Sequence, residues 1–171
     1  MIKEINLDFL KESNKRIINN LYQLKNWGFG SDIYNPRNVN RKDGGFNIMT
    51  YSVESDYFNN DILNTYVEII SDVVNKQSLL QFKRIYRVVW NWYHQGSITE
   101  FHTDSPKDNM FSILYNLHDN DGGTEFKIND EKKFYKSIDS QALLFPSKLY
   151  HRGVSPKTNE NRFSLNIVIE I

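Results

Sequence analysis

The feature that most constrains the fold is a change of pattern near the middle of the chain. Before Gln77, two segments have apolar residues at helical spacing. After Gln77, short runs rich in β-branched and aromatic residues alternate with clusters of turn-forming residues. The runs predict eight strands, at residues 82–93, 97–104, 110–118, 123–128, 132–138, 141–146, 150–154 and 161–170. Many short, closely spaced strands are typical of a β-sandwich or jelly roll.

The N-terminal part of the chain carries two helical patterns. Apolar residues spaced by three, four and seven predict a helix within residues 7–26, and Asn59 or Asn60 is expected to cap a second helix with an apolar stripe from Ile62 to Val74. Residues 26–45 predict irregular structure with a short strand or two. Two helices ahead of the strands would cover one face of a sheet. We therefore expect one α+β domain over residues 1–171, with residues 1–80 as helical support and lid and residues 81–171 as a jelly-roll core.

Composition excludes several classes of protein and ligand. The 21 basic residues balance 21 acidic ones, so nucleic acid is an unfavoured partner. The absence of cysteine excludes disulfides and thiolate chemistry, and any metal must be held by histidine and carboxylate. No apolar run approaches the roughly 20 residues that span a bilayer, and the N-terminus does not resemble a signal peptide. We therefore expect a soluble, cytoplasmic protein with no membrane contact.

Four histidines are present, and one of them begins a His-x-Asp motif. On a strand, the spacing of two would place His102 and Asp104 on one face. His151 follows at the head of a later predicted strand. Two imidazoles and one carboxylate on one side of a metal make the facial triad of non-haem Fe(II) oxygenases. The alternative is a chance motif beside a hydrogen-bonded histidine. His94 and His118 flank turns, and we expect neither to bind metal.

Polar and apolar residues alternate along the last predicted strand. Arg162, Ser164 and Asn166 share one face, and that face would point into a small barrel. A guanidinium there would be partly desolvated and would require an anionic partner. A substrate carboxylate suits the planar fork of arginine, and Ser164 could donate a further hydrogen bond to it. The alternative is a surface arginine paired with a neighbouring acidic side chain.

Taken together and in this order, His102-x-Asp104, His151 and Arg162-x-Ser164 resemble the Fe(II)/2-oxoglutarate-dependent dioxygenases. Among these, the chain is most similar to the compact prolyl 4-hydroxylase-like proteins, although many of them have lysine where this chain has Arg162. The resemblance implies a double-stranded β-helix core. It also implies that His102, Asp104 and His151 form the catalytic iron centre and that Arg162, assisted by Ser164, binds the C5 carboxylate of 2-oxoglutarate.

The resemblance implies further cosubstrate contacts from the strand before the His-x-Asp motif. Tyr93 is the preferred extra ligand, and Asn91 shares its face at a spacing of two. Asn116 lies where relatives often place another polar contact to 2-oxoglutarate. Trp92 is expected to pack outward against a helix.

The implied reaction consumes O2 and 2-oxoglutarate, releases succinate and CO2, and hydroxylates a substrate. The first expectation is a peptidyl proline, with a small molecule as the other substrate class, received under an aromatic-rich lid at residues 26–57. Two alternatives stay open. One is a nucleic-acid demethylase of the same superfamily, which usually adds a second arginine where this chain has Val168 and Glu170. The other is a non-catalytic, cupin-like metal- or ligand-binding module.

Overall fold

The computed structural model describes residues 1–25, 27–29, 46–52, 60–96, 99–158 and 161–171, with backbone alone at 28–29 and 46–52. A short 3-10 turn at Asp8–Leu10 precedes helix α1 (Lys11–Gln23), and helix α2 is Asp61–Ser78. The strands within these ranges are β1 (Lys3–Asn6), β2 (Gly28–Phe29), β3 (Phe46–Ser52), β4 (Arg84–Tyr93), β5 (Met110–Asn116), β6 (Asn120–Ile128), β7 (Glu131–Ser137), β8 (Gln141–Pro146), β9 (His151–Val154) and β10 (Arg162–Glu170).

The strands form two antiparallel sheets. The larger sheet has the order β1-β8-β5-β10-β4-β3-β2, and the smaller one has the order β7-β6-β9. Between the sheets, Phe126 of the small sheet meets Phe145 of the large sheet edge to face, with ring centroids 4.9 Å apart. Several neighbouring strands, such as β1 and β8 or β10 and β4, are far apart in sequence, as in a jelly roll. The expected α+β architecture with a double-stranded β-helix core is confirmed.

The two helices cover the outer face of the larger sheet. Ile17 and Leu21 of α1 and Leu63 and Ile70 of α2 are buried in one cluster with apolar residues of β4, β5 and β10. Helix α2 begins where its sequence predicts, because the Asn60 side chain accepts a hydrogen bond from the Leu63 N–H at 3.1 Å. The outer face of the sheet is thereby filled with apolar packing, and the inner face is left for polar side chains.

Two strand assignments from the sequence are corrected. Within the described part of the predicted strand 97–104, only His102 pairs, in an isolated bridge to His151. The N–H groups of Asp104 and Ser105 both donate to the Ser147 carbonyl, at 2.9 and 3.2 Å, and this turns the chain away from a ladder. Strand β1, by contrast, was not predicted, because it has four residues with one buried side chain and is defined by pairing with β8.

The predicted lid at residues 26–57 lies largely outside the described residues. Its described parts include β2 and β3, which extend the larger sheet beyond β4. Neither helix in the described part of the chain has the length and apolar character needed to span a membrane.

Candidate functional site

Three potential metal ligands converge between the two sheets. His102 and Asp104 lie in the loop after β4, and His151 begins β9, where the two histidines share backbone hydrogen bonds of 2.9 and 3.0 Å. The Asp104 carboxylate lies 3.5 Å from His151 Nε2 and 3.9 Å from His102 Nε2. One ligand atom from each residue falls within 4.8 Å of the others. These three side chains can hold one metal ion, and within the described ranges no other such group of three occurs.

Backbone carbonyls orient both imidazole rings. His102 Nδ1 lies 3.0 Å from the Glu100 carbonyl oxygen, and His151 Nδ1 lies 2.8 Å from the Leu149 carbonyl oxygen. Each carbonyl can only accept, so each Nδ1 carries the hydrogen when the ring is neutral. The Nε2 lone pairs are left facing Asp104, in the tautomer that metal ligation needs.

The cluster is accessible from one side. The His102 side chain is 39% exposed, whereas the His151 and Asp104 side chains are 4% and 2% exposed. Burial lowers the pKa of His151 below its usual value, which favours the neutral ring that binds metals. A small molecule or ion could therefore reach the cluster from the side of His102.

Asp104 accepts hydrogen bonds from three side chains of the larger sheet. Arg87 Nη2 donates to Oδ1 at 2.6 Å, Ser112 Oγ donates to Oδ2 at 2.6 Å, and Asn166 Nδ2 lies 3.0 Å from both oxygens. Burial alone would raise the pKa of this carboxyl, but His151, Arg87 and His102 outweigh burial, and the pKa lies below its ordinary range. Asp104 is therefore an anion before any metal is present.

Sequence reasoning missed two of these three partners. Asn166 was placed on the inward face of β10, but Arg87 and Ser112 were not singled out. Arg87 shares a face of β4 with Val89, Asn91 and Tyr93, a spacing that the sequence does contain. This alternation shows on which face of β4 the Arg87 side chain lies. It does not show that the acidic partner is Asp104, because that contact joins residues 17 positions apart.

A second polar pocket surrounds Arg162 at the start of β10. The residue is 1% exposed, and its Nη2 donates long hydrogen bonds to Asn116 Oδ1 at 3.4 Å and Thr124 Oγ1 at 3.3 Å. Its Cζ lies 4.8 Å from the centre of the Tyr93 ring. Nε and Nη1 have no hydrogen-bond partner, and no carboxylate among the described residues pairs with this guanidinium. Burial lowers the pKa of Arg162, but arginine keeps its proton in proteins.

The remaining predicted cosubstrate residues line the same interior. Ser164 is fully buried, its Oγ has no partner, and it lies directly opposite Asn91 on β4 and Asn116 on β5. Residues opposite each other in a ladder share a face. Polar side chains therefore line the inward face of β10 from Arg162 to Asn166, a distance of about 13 Å at the usual rise of a strand. At the Asn166 end, this face contacts the Asp104 carboxylate.

The other singled-out residues lie outside this interior. Trp92 packs outward against Tyr22 of α1, with ring centroids 5.5 Å apart. His118 Nε2 accepts a hydrogen bond from the Phe163 N–H at 3.2 Å, and His94 packs against Trp92 with centroids 4.6 Å apart. Neither of these histidines joins the group of potential metal ligands.

No protein-family model and no curated protein matches this sequence. Solved structures match its fold over nearly the whole chain. HygX from Streptomyces hygroscopicus, solved with nickel and 2-oxoglutarate, has a TM-score of 0.71 and 10% identity over 99% of this chain and 82% of its own. A prolyl hydroxylase from Trichoplax adhaerens, in complex with a peptide fragment of the hypoxia inducible factor oxygen degradation domain, has a TM-score of 0.68 and 18% identity, covering 99% and 83%.

A third match is SnoN, a non-heme α-ketoglutarate-dependent epimerase from nogalamycin biosynthesis. Its TM-score is 0.68 at 12% identity, covering 98% of this chain and 76% of its own. The prolyl hydroxylase and the epimerase share this fold and catalyse different reactions. The chain therefore has the double-stranded β-helix fold of 2-oxoglutarate-dependent oxygenases, prolyl hydroxylases included.

Proposed function

We propose that this protein is an Fe(II)- and 2-oxoglutarate-dependent oxygenase that hydroxylates a peptide, with proline as the first candidate residue. The observation that carries the proposal is a buried arginine, without a carboxylate partner among the described residues, in the same interior as two oriented imidazoles and a carboxylate. The histidine and aspartate cluster suits a divalent metal, and the arginine pocket suits an organic anion.

His102, Asp104 and His151 would hold the metal. Two neutral nitrogen donors and one carboxylate oxygen match the donor set of non-haem Fe(II) oxygenases, which leaves coordination positions for other ligands. Both Nε2 atoms already face the carboxylate, so the side chains need little rearrangement to bind. Bound Fe(II) would supply dioxygen activation coupled to conversion of 2-oxoglutarate to succinate and CO2.

Arg162 would bind the far carboxylate of 2-oxoglutarate. Nε and Nη1 both lack acceptors within the described part of the chain, and Nη1 together with Nη2 presents the planar fork that a carboxylate satisfies with two parallel hydrogen bonds. Ser164 Oγ is a further buried donor without a partner. Tyr93, Asn91 and Asn116 surround this end of the interior and would fix the orientation of the cosubstrate.

A peptide substrate is supported by two observations. The metal cluster is open on the side of His102, whose side chain is 39% exposed, so that a chain segment could approach without entering the core. The prolyl hydroxylase from Trichoplax adhaerens, which shares this fold, was solved with a peptide fragment bound. We propose that this chain presents its substrate side in the same way and that the 171 residues act as one unit.

The test is Fe(II)-dependent conversion of 2-oxoglutarate to succinate, followed in wild type and in Arg162→Ala, with Arg84→Ala as the matched control. Arg84 lies on β4 in an exposed ion pair with Glu170, 2.5 Å away, so its removal should leave turnover unchanged. We expect turnover in wild type and in the control, and loss in Arg162→Ala. A folded wild-type protein without turnover would favour the binding-module alternative. Addition of one oxygen atom to proline-containing peptides, measured by mass spectrometry, tests the substrate.

A further inference from the structure

We propose that Arg87 is a positioning residue that acts through Asp104 and sets the metal affinity of the cluster. The proposal rests on the proposed function, because it concerns the same metal centre. Nothing in the metal-ligand pattern requires an arginine at this place, so the role follows from contacts in the folded chain. The proposal predicts that replacing Arg87 weakens metal binding but leaves ligand binding in the pocket around Arg162 nearly unchanged.

Asp104 lies in a loop, so strands must supply its orientation. Arg87 Nη2 donates to Oδ1 from β4, Ser112 Oγ donates to Oδ2 from β5, and Asn166 Nδ2 reaches both oxygens from β10. A carboxylate offers about four acceptor positions. Donors on three neighbouring strands therefore fix both oxygens, and the carboxylate faces the two histidines before a metal arrives.

Of these three donors, Arg87 is the one that carries a charge. Its side chain is 9% exposed and that of Asp104 is 2% exposed, so the pair is nearly dry. A buried carboxylate without a counter-charge is costly and moves toward solvent or takes up a proton. Ser112 and Asn166 can orient Asp104 but cannot balance its charge. Arg87 thus balances the charge of the Asp104 carboxylate and holds it in place.

The expected consequence is a loss of metal affinity when Arg87 is replaced. Arg87→Met removes the charge and the donor, and we expect Mn²⁺ binding by the metal-free protein to weaken at least tenfold. Arg87→Lys keeps the charge but loses the planar fork, and we expect a loss of about threefold. The affinity for 2-oxoglutarate at saturating Mn²⁺ should change less than twofold, because Arg162 lies at the other end of β10.

Isothermal titration with Mn²⁺ measures the first effect, with Arg84→Met as the matched control on the same strand. Arg84 is paired in an exposed position with Glu170, so this variant should bind Mn²⁺ like wild type. Equal Mn²⁺ affinity in wild type and Arg87→Met would overturn the proposal. An equal loss of Mn²⁺ and 2-oxoglutarate affinity would also overturn it, because that is the result of general loosening of the fold.

A double-mutant cycle in the metal-free protein tests whether Arg87 acts through Asp104 without relying on activity. Arg87→Met should lower the urea midpoint strongly in wild type and little, or not at all, in an Asp104→Asn background. Additive effects would contradict the proposed coupling. If wild type binds no Mn²⁺, the proposed function fails at its own test and the metal role of Arg87 fails with it. Mn²⁺ binding by wild type with unchanged binding in Arg87→Met removes the Arg87 proposal alone.

Discussion

Replacing Arg162 by methionine should stabilise the metal-free protein while abolishing its response to 2-oxoglutarate. Arg162 is 1% exposed, and its Nε and Nη1 have no acceptor among the residues that the structure describes. An unsatisfied buried donor costs about 1–3 kcal/mol. Replacement of buried charged groups by apolar ones of similar volume is often neutral or stabilising by about 1–4 kcal/mol. Methionine fills a similar space, so the substitution should remove these costs without leaving a large cavity.

The interactions that Arg162→Met removes stabilise the protein by less than the buried, unsatisfied guanidinium destabilises it. The hydrogen bonds from Nη2 to Asn116 and Thr124 are long, at 3.4 and 3.3 Å, and each should contribute about 0.5 kcal/mol. The contact with the Tyr93 ring contributes a further ~0.5–2 kcal/mol. We therefore expect the free energy of unfolding of Arg162→Met to exceed that of wild type by about 1–3 kcal/mol.

Urea unfolding followed by tryptophan fluorescence measures the first half of this prediction. The response to 2-oxoglutarate is measured by repeating the urea unfolding with Mn²⁺ and with 2-oxoglutarate at about 100 times its Kd. These ligands should stabilise wild type by ~2.7 kcal/mol, and they should stabilise Arg162→Met by no more than Mn²⁺ alone does. Arg84→Met is the control for the substitution itself. Because Arg84 is exposed, its removal should change stability by less than about 0.5 kcal/mol and leave the ligand response intact.

Two results would refute the reasoning. A variant destabilised by more than about 1 kcal/mol would mean that the folded protein already satisfies the Arg162 guanidinium. An unchanged response to 2-oxoglutarate would mean that another group binds the cosubstrate carboxylate. Either result would remove the observation on which the proposed function rests.

Three further predictions concern the metal cluster, the arginine pocket and acid stability. Asp104→Ala should eliminate Mn²⁺ binding in isothermal titration. It should also lower the metal-free unfolding free energy by about 3–5 kcal/mol, because the buried ion pair with Arg87 is broken. A retained Mn²⁺ site would contradict the ligand assignment. Gly153→Ala would place a Cβ 2.5 Å from Tyr93 Oη, so the Tyr93 side chain must move. We expect the KM for 2-oxoglutarate to rise while the Mn²⁺ affinity stays the same. An unchanged KM would exclude Tyr93 as a cosubstrate contact. Folding lowers the pKa of His151 below its usual 6.5. The preference of the folded state for the neutral ring therefore contributes fully to the free energy of unfolding above pH 6.5, and this contribution is lost as the pH falls toward the folded-state pKa. Unfolding free energies measured between about pH 7 and about pH 5 should therefore fall by up to ~1.4 kcal/mol per pH unit, and an equal slope in His151→Gln would contradict this cause.

Much of the candidate site was predictable because its residue types and order carry chemical information. His102-x-Asp104, His151 and Arg162-x-Ser164 were identified from the sequence, and the structure brings the first three together and buries Arg162. The helices were predictable for a related reason. Periodicity and capping are properties of neighbours in the chain, as the Asn60 cap of α2 illustrates.

The predictions that failed concern structure that depends on distant parts of the chain. Residues around His102 have the composition of a strand, yet the carbonyl of Ser147 takes the N–H groups of Asp104 and Ser105 and turns the loop. The prediction that the His-x-Asp side chains converge was correct, although the strand from which it was argued is absent. Strand β1 likewise exists through its pairing with β8, more than 130 positions later.

The sequence by itself therefore determined the α+β class, the helices and the set of groups available for chemistry. The tertiary structure decided which groups meet, since Arg87 has an acidic partner only after β4, β5 and β10 lie side by side beneath the loop that carries Asp104. It also left Arg162 without a carboxylate partner among the described residues. Local periodicity shows the direction in which a side chain points, whereas the presence or absence of a counter-charge depends on contacts between segments distant in sequence.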